Sequence, residues 1–148
     1  MEIDWPLELH LCVKIIIAFF LGALIGFERE YKGHEAGLRT FGFIALGSCI
    51  FSLASFYVGS GDPGRIAAQI VSGVSFMGIG LIFRDQGFIR GLTTAATLWC
   101  TAAIGMTIAF DMFIIGILST IVILIFLSIP HLKYWKGLKA RKKPADLS

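Results

Sequence analysis

The sequence predicts an all-α integral membrane protein with five transmembrane helices, and three observations support this fold class. First, 56% of the 148 residues are hydrophobic and only 16% are charged, whereas soluble domains carry about 25% charged residues. Second, five apolar segments reach the length of about 20 residues that a bilayer crossing requires. Third, the charged residues concentrate in the connections and at the C-terminal end. A chain of this length predicts a single membrane domain, residues 1–148.

The five predicted spans are separated by short polar segments, and a basic tail follows the last one. They lie at about residues 8–27, 41–58, 66–83, 92–109 and 112–129, with the tail at 130–148. The first span follows an acidic N-terminus that lacks the basic start of a secretory signal. We therefore expect this span to be retained as an anchor. Lys14 lies less than two turns inside it, where we expect the long side chain to extend to the headgroups.

The second span follows a densely charged segment, "GFEREYKGHEAGLRT" at residues 26–40, in which three acids balance three bases. The third span follows "GSGDPGR" and carries the polar residues Gln69, Ser72 and Ser75. Two interpretations of these polar residues remain open. They form hydrogen bonds between helices of one bundle, which is the favoured interpretation, or they line a polar path through an oligomer.

The fourth and fifth spans come from one apolar stretch, residues 92–129, whose only charged residue is Asp111. A single helix over this stretch would be about 57 Å long, nearly twice the hydrocarbon core of a bilayer. The chain must therefore turn within it. Asp111 is a favourable helix N-cap, so we expect the turn there.

The distribution of Lys and Arg predicts the orientation of the bundle. With five spans, eleven of the thirteen Lys and Arg residues fall on one side, and the opposite side has only Arg65. Cytoplasmic loops carry the excess of positive charge. The N-terminus is therefore predicted outside and the C-terminus in the cytoplasm.

Metal, disulfide and catalytic chemistry are not predicted. The three cysteines lie singly in apolar runs without a CxxC pair, so neither a disulfide nor a zinc site is expected. No cofactor motif and no pairing of a nucleophile with a base can be assembled. We therefore do not expect an enzyme, and neither a metal nor a cofactor is assigned.

Small residues recur where helices could pack closely, first in "GALIG" and then in "SGVSFMGIG". In lipid, helices associate by close approach of their backbones at such positions. We expect packing within the bundle from this pattern more than dimerisation. The predicted helix-packing residues are Gly22, Gly26, Gly73, Gly78 and Gly80.

The second and fourth spans both begin with Gly-Leu-X-Thr after a charged loop, which suggests a weak parallel repeat. Both helix N-termini, with their unsatisfied N–H groups, would then face the cytoplasm. Three interpretations of the surrounding charges remain open. They form a structural ion-pair network between the two loops, with Arg39 and Asp85 as partners; they bind a small ion or an anionic ligand at the helix N-termini; or they present a surface to another membrane protein. Because the arginines neutralise the acids, a Mg²⁺ site is disfavoured.

These blocks also carry a family resemblance. "LGALIGFEREYKGHEAGLRT" followed by "GVSFMGIGLIFRDQGFIRGLTTAATLWCTAAIG" resembles the N-terminal membrane domain of the bacterial MgtC/SapB family, over about residues 20–110. The chain departs from the family pattern at Ile79, where a small residue is usual, and we do not expect the cytoplasmic ACT-like domain into which many members continue. With Arg90 of the third loop, the family's signature positions complete a predicted cluster at the cytoplasmic face: Glu28, Arg29, Glu30, Arg39, Thr40, Arg84, Asp85, Arg90, Gly91, Thr93, Thr94 and Trp99.

The resemblance implies a multi-pass protein of the bacterial plasma (inner) membrane, in a family associated with magnesium limitation and, in some pathogens, with survival inside host cells. We expect a regulatory or interaction protein linked to adaptation to magnesium limitation or stress. The alternative is a transporter or channel for Mg²⁺ or another small solute, working as an oligomer. The expected partners are the lipid bilayer, other membrane proteins and, as an open alternative, further copies of the chain. No nucleic acid is expected.

Overall fold

The computed structural model describes residues 4–58, 63–85 and 88–129, so the predicted basic tail at 130–148 lies outside the described residues. It contains five helices and one short antiparallel hairpin. These elements are α1 (Trp5–Tyr31), α2 (Leu38–Val58), α3 (Pro63–Leu81), β1 (Phe83–Asp85), β2 (Phe88–Arg90), α4 (Leu92–Ala109) and α5 (Phe113–Ser128).

The five predicted helices are confirmed, and three of them have the length and apolar composition of membrane spans. These three are α1, α2 and α4, whereas the apolar parts of α3 and α5 are shorter, at Ala67–Leu81 and Phe113–Ser128. Helix α1 begins earlier and ends later than predicted. The Asp4 carboxylate accepts a hydrogen bond from the Leu7 N–H at 3.3 Å, which caps the N-terminus. At the other end, the charged segment continues the helix to Tyr31. Gly33, two residues later, has a φ of +77°, which suits a helix end.

The hairpin was not predicted, and it corrects an all-helical assignment of the chain. Its strands pair Phe83 with Arg90 and Arg84 with Ile89, so the helix predicted at 66–83 ends at Leu81. Aromatic and β-branched residues favour strands, and they flank both arginines here. Gly91, the residue immediately before α4, has a φ of +83°. A Cβ at this position would collide with the Leu81 carbonyl oxygen.

Helix α4 is the central element, because it contacts each of the other four helices. Its residues Leu98, Ile104 and Ile108 are almost fully buried. The backbones of α1 and α2 also approach each other closely. A Cβ on Gly22 would lie 2.5 Å from the Phe41 carbonyl oxygen, and one on Gly26 would lie 2.6 Å from the Gly37 carbonyl oxygen. The GxxxG spacing of α1 therefore packs within the chain.

The turn between α4 and α5 lies where it was predicted, but its chemistry differs. Asp111 has a φ of +60°, and the N-cap of α5 is Met112, without a side-chain hydrogen bond. The Asp111 carboxylate instead lies 2.8 Å from the Lys14 ammonium, which also donates to the Ala109 carbonyl at 3.2 Å. The expectation that Lys14 extends to the headgroups is therefore wrong. Only 4% of this residue is exposed, because the turn offers it two acceptors inside the bundle.

Candidate functional site

Most of the predicted cluster lies at one end of the bundle, which we call the charged face. It comprises the C-terminal end of α1, the loop 32–37, the hairpin and the first turns of α2 and α4. Its most buried charge is Arg29, with 4% exposure. Nε of Arg29 donates to the Glu28 carboxylate at 2.6 Å, and Lys32 pairs with the other oxygen of that carboxylate. Lys32 also donates to the Leu127 carbonyl near the end of α5. This network therefore ties α1 to α5.

Glu30 caps the start of α2. Its carboxylate accepts a hydrogen bond from the Leu38 N–H at 2.9 Å, in the position where a negative charge stabilises a helix N-terminus. The same carboxylate leaves no room for a side chain at Gly37. Thr40, in the first turn of α2, is partly buried. Glu30 thus fixes the path of the chain from α1 into α2.

The predicted pairing of Arg39 with Asp85 remains a prediction. Arg39 is exposed, and the side chain of Asp85 lies outside the described part of the chain. Arg84 is exposed on β1. The ion pairs of the charged face that the described residues show therefore start from α1 and do not join the two loops.

The start of α4 differs from the start of α2. Gly91 is the N-cap, and no side chain in the described part of the chain caps this end. The first backbone hydrogen bond of the helix runs from the Ala95 N–H to the Gly91 carbonyl at 2.9 Å. A cavity of about 310 Å³ lies beside this end, lined by Arg90 and Thr94 from one side and by His34 and Glu35 of the first loop from the other.

Two signature residues of α4 lie away from this cavity. Thr93 lines a separate surface depression, which it shares with Arg29 and with residues near the end of α5. Trp99 lies two turns inside the helix, is half-exposed and borders a groove between α4 and α5. The structure therefore does not bring Trp99 to the charged face.

Comparison with known proteins gives one family. The sequence model of the MgtC family matches residues 15–132. This chain belongs to the MgtC family. It is 47% identical over 112 residues to Protein MgtC of Salmonella typhimurium, an alignment that covers 76% of this chain and 48% of that protein. It is 48% identical over 103 residues to Protein MgtC of Brucella abortus, which covers 69% of this chain and 43% of that protein.

The chain thus spans about half the length of the curated MgtC proteins it matches. No solved structure matches it. The family match includes the charged face, the hairpin and all of α4. The elements described above are therefore elements of the region that defines the family.

Within this family region, helix α3 turns its polar residues outward. Gln69, Ser72 and Ser75 are all exposed on the surface of the bundle. The Ser75 hydroxyl donates to the Val71 carbonyl of its own helix at 2.8 Å. The interhelical hydrogen bonds expected of these residues do not appear among the described residues.

Of the three glycines of α3 that were predicted to pack against other helices, one does so and two face open space. Gly78 faces α4, where a Cβ would lie 3.7 Å from the Cβ of Ala95. A Cβ on Gly73 or Gly80 would meet no described atom within 4 Å. A groove of about 520 Å³ runs between α2 and α3, and Gly47 and Gly73 both line it.

Sequence reasoning missed the pair of Lys14 and Asp111 and the contribution of His34 and Glu35. A signal for the pair was present, because the predicted topology puts both residues near the same membrane surface with opposite charges. His34 and Glu35 were visible in the charged segment, but nothing in their spacing predicted that they face the start of α4.

Proposed function

We propose that this MgtC-family chain is a regulatory or interaction protein of the bacterial plasma membrane, which acts through other membrane proteins during adaptation to magnesium limitation or stress. In this proposal it crosses the membrane five times, its charged face is cytoplasmic, and it is not an enzyme. Support for the membrane comes from the apolar helices α1, α2 and α4. Support for the orientation comes from the eleven Lys and Arg residues of the predicted cytoplasmic side.

The main support for this proposal comes from the polar and small residues of α3 that face outward. An exposed glutamine amide is costly in lipid because it loses its hydrogen bonds to water, and Gln69 has no hydrogen-bond partner among the described residues. Gly47 and Gly73 leave the adjoining groove open, and helices in lipid associate where small residues permit close contact. The occupant we propose is a membrane-spanning helix of another protein, carrying a polar group that pairs with Gln69.

The interior of the bundle argues against transport by one protomer. Several of its buried hydroxyl groups bond back to their own helices, as Ser52 does to the Ser48 carbonyl at 2.8 Å and Thr101 does to the Thr97 carbonyl at 2.9 Å. These groups are therefore satisfied locally and do not form a polar path.

The alternative function is an oligomeric transporter or channel for Mg²⁺ or another small solute. It is favoured by the same exposed face, because Gln69 and Ser72 from several copies could line a shared path. Flux of Mg²⁺ into liposomes containing the purified chain separates the two functions. We expect no flux above that of protein-free liposomes. Flux that Gln69→Leu abolishes would establish the alternative and refute our proposal.

A pair of variants tests the proposed surface in cells growing in low magnesium. Gly73→Leu fills the α2–α3 groove and should abolish the growth effect of the chain without lowering its abundance in the membrane. Ala68→Leu adds a side chain of the same size at another exposed position of α3, outside the groove lining, and should preserve the effect. Equal behaviour of the two variants would show that the groove is not the functional surface.

Single cysteines test the orientation in a background without the three native cysteines. A cysteine at Glu8, exposed in the first turn of α1, should react with an impermeant reagent added outside intact cells. A cysteine at Glu35, exposed in the first loop, should react only after the membrane is opened. The reverse pattern would invert the proposed topology.

A further inference from the structure

The starts of α2 and α4 share a sequence pattern but differ in how they are capped. Both begin with Gly-Leu-X-Thr, at 37–40 and 91–94. At α2, the Glu30 carboxylate accepts a hydrogen bond from the Leu38 N–H at 2.9 Å. At α4, no described side chain accepts a hydrogen bond from the first N–H groups of the helix, which also lack a helical acceptor. Among the described residues, an anionic group thus caps the start of α2, whereas the start of α4 lies beside a cavity.

A threonine that lines this cavity also has no hydrogen-bond partner for its hydroxyl group among the described residues. Thr94 is only 6% exposed, it lines the cavity, and its hydroxyl makes no hydrogen bond to a described residue. Other threonines of α4 behave differently. Thr97 donates to the Thr93 carbonyl at 2.7 Å, and Thr101 donates to the Thr97 carbonyl at 2.9 Å. The Thr94 hydroxyl can therefore bond to a ligand that enters the cavity.

Two charged residues line the cavity. Arg90 attracts an anion, and Glu35 repels one. The His34 Nδ1 lies 3.2 Å from the Arg29 carbonyl oxygen, which holds the ring beside the cavity. Glu35 is exposed to solvent, where water screens its repulsion. The volume of about 310 Å³ is several times the share of about 30 Å³ that one water occupies, so a tetrahedral oxyanion with a few waters fits.

We propose that this cavity binds a phosphate group, held by the first N–H groups of α4, the Thr94 hydroxyl and the Arg90 guanidinium. Helix N-termini bind phosphate because their N–H groups and dipole complement negative charge, and a guanidinium matches two phosphate oxygens at once. The phosphate is either free inorganic phosphate or the phosphate of an anionic lipid headgroup. This inference goes beyond the proposed function and does not depend on it.

Calorimetric titration of inorganic phosphate into the full chain, in lipid-free detergent at constant ionic strength, tests the first source. We expect saturable binding to the wild-type protein. Thr94→Val removes only the hydroxyl and should weaken binding about tenfold, whereas Thr97→Val, with a hydroxyl bonded to its own helix, should not change it. Arg90→Gln should weaken binding by about tenfold or more, and Arg84→Gln, on the same hairpin but outside the cavity lining, serves as its control.

Glu35→Gln gives a gain-of-function test, because removing the opposing carboxylate should strengthen phosphate binding several-fold. A variant that gains affinity cannot have done so by failing to fold. Weaker phosphate binding by Glu35→Gln would contradict the proposal.

Phosphatidylglycerol added to the detergent micelles tests the second source. If the lipid is the ligand, inorganic phosphate does not bind, and phosphatidylglycerol raises the unfolding temperature of the wild-type protein but not that of Thr94→Val. Phosphatidylcholine, which has no net charge, is the reference lipid. The proposal is overturned if Thr94→Val and Arg90→Gln weaken the binding of neither inorganic phosphate nor phosphatidylglycerol. It is also overturned if the control variants Thr97→Val and Arg84→Gln weaken binding equally.

Discussion

The ion pair between Lys14 and Asp111 joins the start of α1 to the turn between α4 and α5, and its two halves differ in environment. The side chain of Lys14 is 5% exposed, whereas that of Asp111 is 59% exposed. The two substitutions that break the pair should therefore have unequal effects. Lys14→Met removes the buried charge and leaves the carboxylate in water. Asp111→Ala removes the exposed charge and leaves a buried ammonium, which retains the Ala109 carbonyl as its acceptor.

The magnitudes follow from this asymmetry. Breaking a fully buried pair costs about 3–5 kcal/mol, and breaking an exposed pair costs about 1 kcal/mol or less. Lys14→Met should fall near the lower figure. Asp111→Ala should approach the higher one, because it also puts alanine at a φ of +60°, at a cost of about 1–2 kcal/mol. Asp111→Asn should lie between them, since asparagine tolerates this conformation and keeps an oxygen that accepts from Lys14.

The assay is the free energy of unfolding, measured by titration with sodium dodecyl sulfate in mixed micelles. We expect the loss to increase from Lys14→Met through Asp111→Asn to Asp111→Ala. The double variant Lys14→Met/Asp111→Ala should lose less than the sum of its single variants, since no buried charge remains. Additive losses, or a larger loss for Lys14→Met than for Asp111→Ala, would refute the reasoning.

Three further predictions concern the same pair, the α1–α2 contact and the charged face. The hydrogen bond from Lys14 holds the pKa of the Asp111 carboxyl below its ordinary value, so its contribution is present above about pH 4 and disappears as the pH falls further. That acid-dependent loss should be absent in Lys14→Met. Gly22→Ala should cost about 1–3 kcal/mol of unfolding free energy, because its Cβ would overlap α2, whereas Gly73→Ala, with open space around it, should cost nothing. Arg29→Ala leaves the carboxylate of the network without its main partner and should cost about 3 kcal/mol. A loss as small as the 1 kcal/mol of an exposed pair would contradict the buried network.

The number of helices was predictable from the sequence, but the side of each helix that packs against the bundle was not. Apolar length and the single charge of residues 92–129 predicted five helices and the turn near Asp111. Apolar residues surround most of these helices, so the sequence does not indicate which side faces the bundle. Lys14 and Asp111 are 97 positions apart, and only the packing of α1 against α4 and α5 brings them together. The hairpin was missed because its strands have three residues each, too few to show a period.

The sequence predicted which residues belong to the charged cluster, but it did not predict which of them form ion pairs with each other. Assigning residues 26–40 to a loop led to the expectation of partners across the two loops. In the structure the charged residues up to Tyr31 are helical. Glu28 and Lys32 are therefore one turn apart, a spacing that favours an ion pair. A sequence reading that had extended α1 by one turn would have found this pair.

The near neutrality of the segment 26–40 has a physical explanation in these pairings. Glu28 forms ion pairs with Arg29 and Lys32, and Glu30 accepts a hydrogen bond from the start of α2. The acids of α1 thus hold the first loop in place and offer little charge to a ligand. What the loop presents toward α4 is His34 and Glu35, opposite Arg90. Among the described residues a side chain caps α2 and none caps α4, so the two similar helix starts differ. The first fixes the path of the chain into α2, and the second has the N–H groups that the proposed phosphate site uses.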